Sequence, residues 1–371
     1  MYAHRAIQRI AQQTPRALLF STSSAQAPQT VEIQKRAFPK FSITASGLSS
    51  LIPRSQQLAK ALTLGKFTVT QPELTRLASQ FLAANEHASM EEWRTQALGV
   101  FHGDVREITR AASLFAKLSP NKSLSYALYK VAAEEGHANA AYHYAVLLGT
   151  GEMRMEGGRG VGGQIIKDLA KIGHPPGLML LAETRLARND AAGAYAMLEQ
   201  AAKGGVAAAA FQLGKLMRDG RVGEPDQARG WFEEAARLGS PEGLFMAGTV
   251  LAGEEKFGEA LDYFERAAAL GNVEAQYNVG LYYLQGTGCE KNPELAVEYW
   301  TMAAAERFPV AMLNLAKLLM EGKEVARDRR RARRLLEAAV EASDKDGFIK
   351  DQALALMERM GKGSDSRCNV M

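Results

Sequence analysis

One short pattern returns along the chain and limits what the chain can become. Segments of the form Ala-Ala-X-X-Gly end at Gly136, Gly205, Gly239 and Gly271; "LAKIG" ends at Gly173, and two copies without the glycine, "AAAER" and "AAVEA", end at Arg307 and Ala342. Successive ends lie 37, 32, 34, 32, 36 and 35 residues apart. A period in this range marks an array in which each unit buries its apolar face only by stacking on its neighbours.

Registers inside the unit identify the element. Three residues before each anchor stands alanine: Ala133, Ala170, Ala202, Ala236, Ala268, Ala304 and Ala339. Nine after it stands a small residue, Ala145, Ala182, Gly214, Gly248, Gly280 or Ala316, and four after it another, as at Ala140, Gly243 and Ala275. Small residues at fixed helical positions let two backbones approach closely. A large residue seven before the anchor (Tyr129, Phe232, Phe264, Trp300) supplies a knob for the core. The anchor glycine suits a left-handed helix cap, while Asn272 and the Ser240-Pro241 pair suit helix starts. Fifteen residues after the anchor, Gly151, Gly220, Gly286 and Gly322 are placed to end a first helix. Each unit therefore reads as helix A, turn, helix B, and the expected fold class is all-α, built of antiparallel helix pairs.

Residues 271–307, "GNVEAQYNVGLYYLQGTGCEKNPELAVEYWTMAAAER", resemble the Sel1-like repeat, a relative of the tetratricopeptide repeat, and the resemblance extends over residues 120–343. It implies a right-handed superhelical solenoid and a protein-binding scaffold or adaptor rather than an enzyme. Among mitochondrial, fungal-type members of such families are assembly factors for respiratory complexes, cytochrome c oxidase especially. Their intermembrane-space members are cysteine-rich, and this chain has two cysteines, which turns the expectation toward the matrix or the matrix face of the inner membrane.

Composition agrees with a core held by burial. With 371 residues at 47% hydrophobic content the chain can close a large interior, and two cysteines supply neither a disulfide framework nor a structural zinc site. Gly, Arg, Lys or Glu interrupts every apolar run before a membrane span is reached. The N-terminal "MYAHRAIQRIAQQTPRALLFSTSSA" carries Arg5, Arg9 and Arg16 and no acid, the pattern of a mitochondrial presequence, and Arg16, Leu18 and Ser21 resemble a two-step processing motif ending near Gln26. Without those three arginines the count changes from 45 basic and 41 acidic groups to 42 and 41, so the overall charge says little about nucleic acid. The expected organisation is a presequence at 1–25, a linker at 26–52, a helical capping region at 53–118, repeats at 119–343, a capping helix at 344–360 and a disordered tail at 361–371.

Catalytic patterns are missing from the sequence. Gly158-Arg159-Gly160-Val161-Gly162-Gly163 satisfies G-x-G-x-x-G, but a dinucleotide site needs a strand before it, and a flexible inter-helix loop is expected here instead. The six histidines match no metal motif; His137 and His174, just after anchors, suit helix capping. No catalytic residue, cofactor or metal is expected.

Binding residues are sought on the concave face that successive A helices form in a solenoid. Gln212, Tyr277, Asn278, Tyr282 and Asn314 are the candidates for gripping a client peptide or subunit; Gln212, Asn278 and Asn314 all stand seven after an anchor, as a ladder of carboxamides or as inter-helix hydrogen bonds. The run "RDRRRARR" (Arg327, Arg329, Arg330, Arg331, Arg333, Arg334) offers a contact for an anionic inner-membrane surface or another partner, or is a solvated helix start. Nucleic acid is disfavoured because no aromatic residue interleaves the arginines. The C-terminal "CNVM" also fits a prenylation box at Cys368, found in some Sel1-like activators of cell-wall synthesis, so the alternatives to the mitochondrial scaffold are a cytosolic membrane-anchored activator and, behind it, a mitochondrial RNA-associated factor.

Overall fold

The computed structural model describes residues 51–365 apart from 53–54, 66, 88–89, 120, 151–157 and 344–346. The presequence, the linker up to residue 50, Gly151 and Cys368 lie outside the described residues, while Leu51, expected in the linker, is buried in the core. Among the described residues there are eighteen α-helices and no strand. They fall into two compact units that divide between Val206 and Ala207.

The first unit holds α1 (Ser55–Gly65), α2 (Gln71–His87), α3 (Met90–Val100), α4 (Val105–Leu118), α5 (Ser123–Glu134), α6 (Ala138–Thr150), α7 (Gly158–Lys171), α8 (Pro175–Leu186) and α9 (Ala191–Lys203). The second holds α10 (Ala207–Arg218), α11 (Ala228–Arg237), α12 (Pro241–Gly253), α13 (Phe257–Ala269), α14 (Val273–Gln285), α15 (Pro293–Ala305), α16 (Pro309–Glu321), α17 (Arg329–Ala342) and α18 (Gly347–Asp365). Within each unit a helix packs chiefly on the helices before and after it, as the repeat period requires.

Chain reversals follow one recipe. The anchor takes a left-handed backbone, with φ of 85° at Gly136, 75° at Gly173, 88° at Gly205, 86° at Gly239 and 90° at Gly271. The next residue then returns its N–H to the end of helix B, Asn272 to the Ala267 carbonyl at 3.0 Å, and its side chain opens helix A. Asn272 Oδ1 accepts from Ala275 N at 2.7 Å, Ser240 Oγ from Gly243 N at 3.0 Å and His174 Nδ1 from Gly177 N at 3.3 Å. Arg307 keeps the left-handed form, φ 60°, without being glycine. Ala342, by contrast, is the last residue of α17 and makes no such reversal.

Glycines inside the helices serve the seam. A Cβ on Gly214 would stand 2.6 Å from the Phe232 ring, on Gly248 2.9 Å from Phe264, and on Gly280 2.4 Å from Trp300. The small residue nine after one anchor therefore receives the aromatic knob seven before the next, and Phe232, Phe264 and Trp300 are buried there.

Four expectations change. Gly158–Gly163 is the start of helix α7, not a loop; Gly162 is buried, and a Cβ on it would meet the Ala145 carbonyl of α6 at 2.7 Å. With a helix before it and a helix over it, the motif has no phosphate-binding geometry. The array also begins earlier than residue 120, because α4 and α5 form a further helix pair behind Gly103, another left-handed glycine (φ 74°). The last helix runs through Asp365, beyond 360. Tyr282, expected on an open face, is buried, for the reason given below.

Candidate partner-binding face

The A helices of the second unit, α10, α12, α14 and α16, carry their binding candidates in rows. Six residues after the anchors stand Phe211, Phe245 and Tyr277, each half-buried. One side of each ring lies against the knob of its own B helix: Phe211 against Phe232 with centroids 6.0 Å apart, Phe245 against Phe264 at 5.7 Å, and Tyr277 against Trp300 at 6.1 Å and 16°. The knob fixes the ring and covers part of it, leaving a rigid, partly wet aromatic surface of the kind that binding faces use.

The next position holds Gln212, Met246, Asn278 and Asn314, all half-buried. Asn314 Nδ2 donates to the Tyr277 hydroxyl at 3.0 Å and so joins α16 to α14. It is an inter-repeat tie as well as a candidate contact. Gln212 and Asn278 make no side-chain hydrogen bond among the described residues, so their amides are open to a ligand. One further turn along, Lys215 and Lys317 flank the rows; Lys317 Nζ donates to Gln352 Oε1 at 2.8 Å, and Lys215 stands over the Phe211 ring. Tyr282 does not share this face. At 9% exposure it packs edge-on to Phe264 and Phe257, because its position on α14 turns it into the interior between α13 and α14.

The arginine run is divided by the fold. Arg329 Nη2 donates to the Met360 carbonyl at 2.9 Å, Arg331 Nη2 to Thr301 Oγ1 at 2.5 Å, and Arg333 pairs with Glu337 at 3.1 Å. Arg327, Arg330 and Arg334 are exposed and have no partner among the described residues. Arg329 and Arg331 thus tie α17 to its neighbours, Arg333 pairs within its own helix, and the other three face solvent.

Two histidines of the first unit, His137 and His174, act as caps. His174, 4% exposed, accepts from Gly177 N through Nδ1 and contacts Asn139 Oδ1 through Nε2 at 2.8 Å, which requires the neutral ring with its proton on Nε2. Burial, with smaller contributions from His143 and His137, pushes its pKa down to about 4. His137 Nδ1 contacts Thr109 Oγ1 at 3.0 Å and caps Ala140 N, and burial lowers its pKa too. Elsewhere, Glu265 accepts from the Tyr283 hydroxyl at 2.6 Å, and burial raises its pKa. Burial likewise raises the Cys289 thiol, the wrong direction for a nucleophile. Among the described residues no three His, Cys, Asp or Glu side chains stand together as metal ligands.

Sequence reasoning named Tyr277 but not Phe211 or Phe245, because it followed the polar position seven after the anchor and not the ring column beside it. Its signal was present: Phe211, Phe245 and Tyr277 share one offset in three consecutive copies.

Residues 98–137, 207–240, 243–272, 273–307 and 309–344 match the Sel1 repeat family. These five segments, a little under half of the chain, are what resembles the Sel1 repeat. The first covers the pair behind Gly103, and the copies at 138–206 keep the helix-pair structure outside the matched segments. Such repeats usually mediate protein–protein interaction and are typically non-catalytic. The chain is 29% identical over 225 residues to chitin synthase regulatory factor 3 of Schizosaccharomyces pombe, covering 56% of this chain and 24% of that protein. It is 35% identical over 95 residues to protein sel-1 homolog 2 of Mus musculus, covering 25% and 14% respectively. The chain therefore spans about a quarter or less of the length of these curated relatives. A crystallised Sel1 repeat protein from Oxalobacter formigenes is 25% identical with a TM-score of 0.45, over 48% of this chain and 79% of that one.

Proposed function

We propose that the protein is a non-enzymatic scaffold or adaptor that holds an extended segment of a client protein on the A helices of its second unit. The carrying observation is the double row of half-buried rings and amides, Phe211, Phe245 and Tyr277 beside Gln212 and Asn278, in which the two amides have no bond of their own to make. Extended backbone offers amide donors and acceptors at regular spacing, which open carboxamides complement, while rings take alternate side chains. A photo-cross-linking residue at position 278 is expected to capture the client, and one at Glu233, exposed on α11, is not. Gln212→Ala with Asn278→Ala removes no internal hydrogen bond, so it should leave the melt unchanged and weaken client binding about tenfold or more. Unchanged affinity in that variant refutes the face.

For the cellular setting we propose the mitochondrial matrix or the matrix side of the inner membrane, with assembly of a respiratory complex such as cytochrome c oxidase as the process served. The acid-free, arginine-bearing residues 1–25 support it. Likeness to a chitin synthase regulatory factor favours a second reading, a cytosolic activator anchored through Cys368. Fluorescent fusions at either terminus separate the two. Mitochondrial signal lost on deleting residues 1–25 supports the first, and membrane signal lost with Cys368→Ser supports the second. Unaltered respiratory complexes in a deletion strain would refute the assembly role.

A further inference from the structure

Two B helices of the second unit carry opposite charges at the same places. Twelve, nine and five residues before their anchors, α13 has Glu259, Asp262 and Arg266, whereas α17 has Arg330, Arg333 and Glu337. All six are exposed, and the buried alanine three before each anchor, Ala268 and Ala339, shows that the two helices share one register. Helix α15 stands between them: Tyr299 shares a core cluster with Phe264 of α13, and Thr301 receives Arg331 of α17.

We propose that this surface binds a second copy of the chain, about a two-fold axis parallel to α15. Such an axis keeps the direction of every helix and exchanges left for right, so α13 of one copy faces α17 of the other at equal height. Equal offsets then meet: Glu259 with Arg330 of the second copy, Asp262 with its Arg333 and Arg266 with its Glu337, each twice. Among the described residues Glu259, Asp262 and Arg330 have no ion pair, so docking breaks none there. The start of α17 gains most. Arg329, Arg330 and Arg331 occupy its first turn, which holds no acid, so the helix dipole opposes them, and carboxylates from the second copy offset that repulsion. At the same three offsets α15 carries Leu295, Glu298 and Met302, all half-buried, and Glu298 opposes its own copy near the axis, so the association is weak and salt-sensitive.

Other occupants suit the surface less well. An anionic membrane would want apolar side chains beside the arginines, yet exposed Phe348 lies twelve residues from Met360, the residue that Arg329 holds, which is about 18 Å along α18. A polyanion such as RNA would meet the carboxylates of α13 on the same surface.

Sedimentation velocity of the full chain tests the proposal. Dimer is expected at about 50 mM salt and mostly monomer at about 500 mM, where screening shortens the reach of each charge. Arg330→Glu with Arg333→Glu places acid against acid and should weaken self-association about a hundredfold; Glu259→Arg with Asp262→Arg does the same with base against base. Mixed, the two variants present opposite charges at both contacts and should form the heterodimer that neither forms alone. Circular dichroism checks that each remains folded. Monomer for the wild type at low salt, or failure of the mixed pair to associate, overturns the proposal; if a monomeric wild type pellets instead with phosphatidylserine vesicles and loses that with Arg330→Glu, the surface belongs to a membrane.

Discussion

Replacing Gly280 by alanine isolates the packing rule on which the second unit depends. The added Cβ would lie 2.4 Å from Trp300 Cδ1 and 2.5 Å from Nε1, where carbon contacts settle at about 3.5 to 4.0 Å, so the indole must retreat by more than about 1 Å. Trp300 is 2% exposed and donates through Nε1 to the Tyr277 carbonyl at 3.0 Å, so retreat also strains a buried hydrogen bond. Overpacking costs about 1 to 3 kcal/mol and a weakened buried bond about 1 to 3 more, while alanine returns about 1 kcal/mol of helix propensity. The expected loss is about 1 to 5 kcal/mol in urea denaturation with an unchanged m-value. Trp300→Leu alone opens a cavity and costs about 2 to 4 kcal/mol. The combination reproduces the pair already present at Ala182 and Leu198, nine after one anchor and seven before the next. The double variant should therefore be no less stable than Trp300→Leu alone, a coupling of about 1 kcal/mol or more. Losses that simply add, within about 0.5 kcal/mol, refute the rule.

Backbone strain predicts a gain at Arg307, whose left-handed φ of 60° costs a side chain about 1 to 2 kcal/mol; Arg307→Gly should stabilise by about 0.5 kcal/mol after the unfolded chain's added freedom is counted, and Gly271→Ala (φ 90°) should destabilise by about 1 to 2. Acid should loosen the first unit. The folded His174 pKa, about 4, lies below its unfolded value of 6.5, so its contribution is complete above pH 6.5 and is lost as pH falls from there toward 4, by up to about 3 kcal/mol. His174→Asn can keep the cap without a titrating ring, and denaturation midpoints at several pH values should show a shallower acid slope; an unchanged slope places the titration elsewhere.

Much of the architecture was legible because the repeat writes each constraint from four to seven times. Glycine at the reversals, alanine three before them and aromatic knobs were visible as columns, and the structure gives each column a physical cause. Gly103 escaped notice because Val100 stands where every later copy has alanine, and because Glu107 fills the small position four after the anchor, where it accepts from Thr68 N and Oγ1 instead. The glycines of 158–163 looked like a loop because propensity disfavours them in helices. Tertiary packing overrides that, since Gly162 is needed for the approach to Ala145. Which side of α14 a tyrosine faces was not readable from its polarity. Tyr277 and Tyr282 differ by five positions, enough to send one to the half-buried face and the other into the core.

Packing and binding meet in one triplet of positions. Where the residue nine after an anchor is glycine, as at Gly214, Gly248 and Gly280, the knob is Phe232, Phe264 or Trp300 and the ring six after the anchor is Phe211, Phe245 or Tyr277, half-buried. Where it is Ala182 or Ala316, the knob position holds Leu198 or Leu335 and the sixth position holds Met179 or Leu313, both buried. The first unit's Ala145 copy departs from this, pairing Ile166 with Tyr142, a ring that turns toward His143 and His174 instead. Glycine thus admits a wide knob, and the knob props an aromatic ring at the surface of the A helix rather than letting it sink. A proposed client site built this way ends where the glycines end, at α10 on one side and α14 on the other. It follows that Gly248→Ala, by displacing Phe264, should disturb Phe245 and weaken client binding without touching a surface residue, whereas Ala182→Gly, outside the ladder, should cost stability alone. Equal effects of the two on binding would show that the ladder is packing and not a site.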